Sequence, residues 1–206
     1  YNNHYVWFDH FRSDWLSQTI DTDGAAGTNV ALGGGPIAHF SYYDPASYHL
    51  KYAVWDGISW QREVVDSSGR FASISLRLDS LSKPFMSYID YNNFSLKYAY
   101  SDGNSWYTQT VDSVSHVTGN TSLAVTGTGL PRISYFDSNT NAVMYAEWNG
   151  AAWLTETVAT ASGSVSELSL NLNPTGISEP QIVFIDSGGA GSLVHAFKDG
   201  STWTTT

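Results

Sequence analysis

A repeat of 45 to 50 residues runs through this chain and constrains its fold more than any other feature. Tryptophans fall at 15, 60, 106, 153 and 203, spaced by 45, 46, 47 and 50 residues. Aspartates at 44, 90, 137 and 186, each closing a Ser-Tyr-x-Asp-like tetrapeptide, are spaced by 46, 47 and 49. Periods of this size belong either to helical solenoids or to propeller blades of several short strands. No window keeps an apolar stripe at helical spacing, whereas alternation of period two is frequent, so the blade reading follows.

The unit from 73 to 112 shows the template. Strand A is expected at 73–78, with Ile74, Leu76 and Leu78 alternating against Ser75 and Arg77. Strand B is expected at 85–89, strand C at 96–100 and strand D at 105–111. Asp-Gly and Asn-Gly between the last two strands are tight-hairpin signals, because glycine accepts positive φ. Pro84, Pro131 and Pro180 stand where strand B begins, a position that needs no ladder donor. Tyr-Ala pairs at 52–53, 98–99 and 145–146, and His195-Ala196, mark strand C.

The expected architecture is all-β: a propeller of about five four-stranded antiparallel blades with strand A innermost. One continuous domain, 1–206, is divided into repeats at 1–21, 22–66, 67–112, 113–158 and 159–206. The first repeat is an outer half-blade. Tyr1-Asn2-Asn3-His4 parallels Tyr91-Asn92-Asn93-Phe94, and Trp15 to Asp21 parallels Trp106 to Asp112, so only strands C and D are present there. An unpaired half-blade exposes strand edges, and its inner strands are expected upstream, in a longer chain.

Composition excludes several classes of function. Nine Lys and Arg stand against 19 Asp and Glu, for a net charge of −10. That balance offers no basic footprint for nucleic acid and none for an anionic membrane surface. No apolar run is long enough for a helical span. With no cysteine, disulfides and thiolate metal sites are absent. The Ser, Thr, Asn, Gly, Tyr and Trp richness resembles secreted bacterial surface proteins, and an extracellular or cell-surface location is expected.

The units resemble known propeller repeats. Asp-Gly-x-Ser-Trp at 102–106, with its copies at Trp60, Trp153 and Trp203, resembles the Asp-box of sialidase-type propellers, with shortened spacing. Leu96-Lys97-Tyr98-Ala99-x-x-Asp102-Gly103-x-x-Trp106 is similar to blades of fucose-binding propeller lectins. The resemblance implies a bacterial β-propeller and an Asp-box-like structural role for the tryptophans.

Asp44, Asp90, Asp137 and Asp186 occupy one repeated position, so each has the same surroundings. A glycosidase instead needs two carboxyls in different environments, and the four read as structural acceptors for loop amides. Trp60, Trp106, Trp153 and Trp203 read as packing between blades. The unrepeated aromatics Tyr48, Trp55, Tyr91 and Trp148 are the candidate ligand contacts. His4, His10, His39, His49, His116 and His195 show no zinc spacing. Gly33-Gly34-Gly35 reads as a turn. The arginines at 12, 62, 70, 77 and 132 fall at unrelated template positions, so a sialidase-like arginine cluster is not carried over. No metal or other cofactor is called for.

Strand B ends on the edge where strand D hands over to the next blade. The B–C loops (45–49, 91–95, 138–142, 187–192) and D–A loops (66–72, 112–119, 159–164) are therefore expected to share one face. Their variable Ser, Asn, Tyr and Gly content suits neutral carbohydrate or a protein contact. The sequence thus reads as a non-catalytic binding or scaffold propeller that recognises carbohydrate or a protein partner, within a larger surface assembly. A glycoside hydrolase or lyase-like propeller is the alternative.

Overall fold

The computed structural model describes residues 3–9, 14–23, 26–34, 37–67, 69–173 and 179–206. His10, Arg12 and Gly35, and the opening Tyr1-Asn2, lie outside them. Five antiparallel sheets follow one another without closing. The first has two strands, β1 (Asn3–Asp9) and β2 (Asp14–Asp21). The second comprises β3 (Ala26–Leu32), β4 (Ala38–Asp44), β5 (His49–Trp55) and β6 (Trp60–Asp66). The third holds β7 (Phe71–Leu78), β8 (Pro84–Asp90), β9 (Ser95–Ser101) and β10 (Trp106–Asp112). The fourth holds β11 (Val117–Val125), β12 (Pro131–Asp137), β13 (Ala142–Trp148) and β14 (Trp153–Thr160). The fifth holds β15 (Val165–Leu172), β16 (Pro180–Asp186), β17 (Ser192–Asp199) and β18 (Thr202–Thr205).

Each full sheet is a four-strand meander. The first strands, β3, β7, β11 and β15, touch from sheet to sheet, while the outermost strands hardly meet. Strand A is therefore innermost. Ser75 Oγ accepts the Leu123 amide at 3.1 Å, and Ser122 Oγ accepts the Leu170 amide at 3.0 Å. These repeated bonds tie consecutive inner strands together.

The core lies between blades, not within them. One slab joins Tyr52, Leu76, Met86 and Tyr88, the next joins Ile89, Leu96, Leu123 and Tyr135, and a third joins Tyr145, Leu170 and Phe184. Strand B is covered on both faces, so β4 and β8 are buried along their whole length. Burial on both faces takes in the Ser and Asp of the Ser-Tyr-x-Asp stretches as well as their aromatic residues. Pro84, Pro131 and Pro180 open β8, β12 and β16, opposite Leu78, Val125 and Leu172.

A second set of ties crosses the blade junctions. Tyr42, Tyr88 and Tyr135 donate their hydroxyls to Asp21, Asp66 and Asp112 of the preceding sheet at 2.6, 2.9 and 2.6 Å. In the last repeat both partners change together, to Phe184 and Ala159. A buried phenol without its acceptor costs more than losing both groups.

Candidate functional site

Each four-stranded blade contributes a strand-D tryptophan to the junction with the blade before it. Trp106 meets Tyr52 edge-on at 5.1 Å, Trp153 meets Tyr98 at 5.2 Å, and Trp203 meets Tyr145 at 5.3 Å. The indole N–H then reaches the residue three places beyond the preceding blade's tryptophan. Trp60 donates to Gln18 Oε1 at 3.2 Å, Trp106 to Glu63 Oε2 at 2.6 Å, and Trp153 to Gln109 Oε1 at 3.1 Å. At the last junction Lys198 engages the equivalent Glu156. Trp203 Nε1 there has no hydrogen bond among the described residues.

Two of these junctions open into aromatic clefts of the same design. Between the first and second blades, a cavity of about 250 Å³ is lined by Tyr5, Trp7, Gln18, Ala38, Trp55 and Trp60. Between the third and fourth, one of about 210 Å³ is lined by Phe85, Tyr98, Gln109, Pro131 and Trp148 among others, with Trp153 bonded to Gln109 beneath it. The matching positions are Tyr5 and Tyr98, Trp7 and Tyr100, Gln18 and Gln109, Ala38 and Pro131, and Trp55 and Trp148. The ring pairs match too: Trp55–Trp60 at 5.3 Å and 56°, Trp148–Trp153 at 5.6 Å and 59°. Arg132 holds the rim of the second cleft, donating to the Pro131 carbonyl at 3.1 Å and the Trp148 carbonyl at 2.9 Å. Each cleft therefore offers flat apolar faces around one primary amide, whose N–H donors remain for a ligand after its oxygen accepts the indole.

The other two junctions differ at the residue that makes the cleft. Ser101 and Lys198 stand where Trp55 and Trp148 would. At the second junction His39 bonds the Tyr52 hydroxyl, and Gly34 N donates to Ser82 Oγ at 3.0 Å. Those contacts fill the space between turn and blade.

Of the four aromatics singled out from sequence, Trp55 and Trp148 lie in equivalent clefts at the C–D end of the blades. Tyr48 and Tyr91 lie in B–C loops, at the opposite end. Tyr48 is 56% exposed, and Tyr91 packs edge-on against Phe94 at 6.0 Å. The structure does not bring the two pairs together. The glutamines at 18 and 109 carried no sequence signal beyond their fixed offset from Trp15 and Trp106.

The repeated aspartates are occupied by their own loops. Asp44 accepts from Ala46 N, Ser47 Oγ and Lys51 Nζ at 2.9, 2.6 and 2.9 Å. Asp90 accepts from Asn92 N and Asn93 Nδ2, and Asp137 from Asn139 N, Thr140 Oγ1 and His116 N. Asp186 accepts from Ser162 N, Gly163 N and Gly188 N, all within 2.9 Å, and these amides draw its carboxyl down to about 2. Burial alone would raise the Asp44 and Asp137 carboxyls, but the bonds from their loops outweigh it and hold both below the ordinary value. A general acid needs the opposite shift. Trp60, with Trp106, Trp153 and Trp203, packs between blades as described above.

No family model matches the chain, and no curated protein matches it. Solved structures do. SapL1 lectin in complex with α-methyl fucoside superposes with a TM-score of 0.62 at 16% identity, over 93% of this chain and 69% of the lectin. The Aleuria aurantia lectin, in complex with Fucα1-6GlcNAc, gives 0.60 at 15%, over 94% and 67%. The fold shared with these structures is the β-propeller. The exo-β-1,3-galactanase of Phanerochaete chrysosporium gives a weaker 0.55 at 12% identity, over 98% of this chain and 53% of the enzyme.

Proposed function

We propose that this chain is a non-catalytic carbohydrate-binding propeller whose sites are the two aromatic clefts between blades. One observation carries the reading: Trp55 and Trp148 recreate the same cleft at two junctions, at a position where the fold accepts serine and lysine. A packing requirement would repeat at all four. Sugar rings stack their C–H faces on indoles, and the glutamine amide supplies donors for a hydroxyl. Both cavities are smaller than the roughly 300–1,000 Å³ of drug-sized sites, which suits one sugar ring. The lectin likeness favours the same class, and fucosides are the first probe. An extracellular or cell-surface setting is part of the proposal, in keeping with the composition.

The B–C and D–A loop face, with Tyr48 exposed on it, is proposed as the surface toward a protein partner in a larger assembly. The hydrolase reading is the less favoured. Both clefts carry an amide where a carboxyl would be needed, and the repeated aspartates are bound up in loops.

A glycan array tests the proposal. Binding to defined glycans should disappear in Trp55→Ala/Trp148→Ala and survive Tyr48→Ala/Tyr91→Ala. Cleavage of any array glycan, or loss of binding only in the second variant, would replace the proposal with its rivals.

A further inference from the structure

A cavity of about 510 Å³ lies apart from the aromatic clefts. It opens at the A–B end of the inner strands. It is lined by Arg77 of β7, by Ala124 to Thr128 at the end of β11, and by Asn171, Leu172 and Asn173 at the end of β15. Three features of Arg77 set it apart from every other cation in a shielded position.

The first is pairing. Lys51, Lys97, Arg132 and Lys198 have side chains no more than 18% exposed, and each forms a salt bridge with a carboxylate. Arg77 is half-buried and has no carboxylate partner among the described residues. Its one hydrogen bond runs from Nη1 to the carbonyl of Leu76 at 2.9 Å. Burial without a counter-charge penalises the guanidinium, and its pKa is accordingly pulled down. Asp79, two residues on, accepts through Oδ1 from the amides of Leu81 and Lys83.

The second is position. Arg77, Ala31, Ala124 and Asn171 occupy the same level of the four inner strands, opposite Phe85, His39, Arg132 and Gln181. Alanine satisfies the fold twice at that level, so blade packing does not require an arginine. The third is its company. The cavity wall carries the hydroxyls of Thr126 and Thr128, which bond each other at 3.0 Å, and the amides of Asn171 and Asn173, and no acidic side chain among the described residues.

We infer that this axial cavity is a second binding site, for a small hydroxylated carboxylate of the sugar-acid class. The Arg77 guanidinium takes the carboxylate through paired N–H donors, and the threonine and asparagine side chains take the hydroxyls. A planar guanidinium fork matches a carboxylate in a way a neutral sugar does not. With one cation in the wall, a singly charged carboxylate fits better than a phosphate dianion. In a chain of net charge −10, an isolated cation inside a cavity also selects an anion against a repulsive background.

The test is titration of the whole chain, followed by amide chemical shifts of Thr126 to Thr128 and Asn171. The ligands are glucuronate, a trimer of galacturonate, inorganic phosphate and glucose. Glucuronate should bind and move those amides, and Arg77→Gln should weaken it by about tenfold or more. Arg77→Lys keeps the charge without the fork and should fall between the two. Tighter binding of the trimer would assign the site to a chain end, and equal binding to the free acid. Trp55→Ala/Trp148→Ala should leave the affinity unchanged, which separates this site from the clefts. Absence of glucuronate binding, binding unaffected by Arg77→Gln, or equal response to phosphate or glucose would overturn the inference.

Discussion

Single buried polar groups decide much of the stability of this propeller, and equivalent positions in different blades separate their effects. Ser41, Ser87 and Ser134 open the same motif and are all fully buried. Ser87 Oγ meets Thr121 Oγ1 at 3.1 Å, while Ser41 and Ser134 Oγ have no partner among the described residues. Burying an unpaired hydroxyl costs free energy, so Ser134→Ala should leave stability unchanged or raise it. Ser87→Ala should lower it by about 1 kcal/mol. Urea unfolding of the two variants is the comparison, and equal losses would show that the Ser134 hydroxyl is satisfied. Tyr135→Phe removes a bond to a carboxylate and should cost about 1.5–3 kcal/mol. The same ties set the acid limit. Burial would raise the Asp112 and Asp21 carboxyls, but bonds from Tyr135, Ser115 and Tyr42 outweigh it and leave both below the usual 3.8. A depressed carboxyl contributes stability that is present above 3.8 and disappears as pH falls through the lowered value. The melting temperature should hold near pH 6 and drop below about pH 4, and Tyr135→Phe should flatten that drop.

At the scale of the element, the hairpins between strands C and D are the most regular feature. Gly57, Gly103 and Gly150 have φ of 98, 98 and 99°. The preceding Asp56, Asp102 and Asn149 each accept the amides two and three residues on, within 2.9 Å. A Cβ at Gly103 meets nothing within 4 Å, so strain there is purely backbone. Gly103→Ala should cost about 1 kcal/mol by thermal unfolding, and no loss would mean the turn adapts. These hairpins were legible in the sequence because their chemistry is local. The bulge in every strand A was not. Ladders slip between Ala26 and Asn29, Ala72 and Ser75, Thr118 and Ser122, and Ser166 and Ser169. Left-handed residues at each slip include Ser73 and Glu167, which carry no signal of positive φ. Tyr48 and Phe94 likewise share a left-handed position with Asn141 and Gly191. Variation among those loops hid a common backbone. The four-strand order, the outer half-blade and the proline starts followed from period and turn chemistry. The clefts did not, since they depend on Gln18 or Gln109 meeting the tryptophan of the next blade.

For the whole molecule, repetition explains both the fold and where it departs from itself. Cores sit between blades, so each junction can change without disturbing its neighbours. The chain uses that freedom: two junctions are aromatic and open, one is filled around His39, and one is charged around Lys198 and Glu156. Binding should therefore count clefts and not blades. Isothermal titration of the best-bound glycan of the array measures that count directly. Two equivalent sites per chain are expected, one remaining in either Trp55→Ala or Trp148→Ala, and none in the double variant. Four sites, or a stoichiometry untouched by both substitutions, would rule out the clefts as the binding sites.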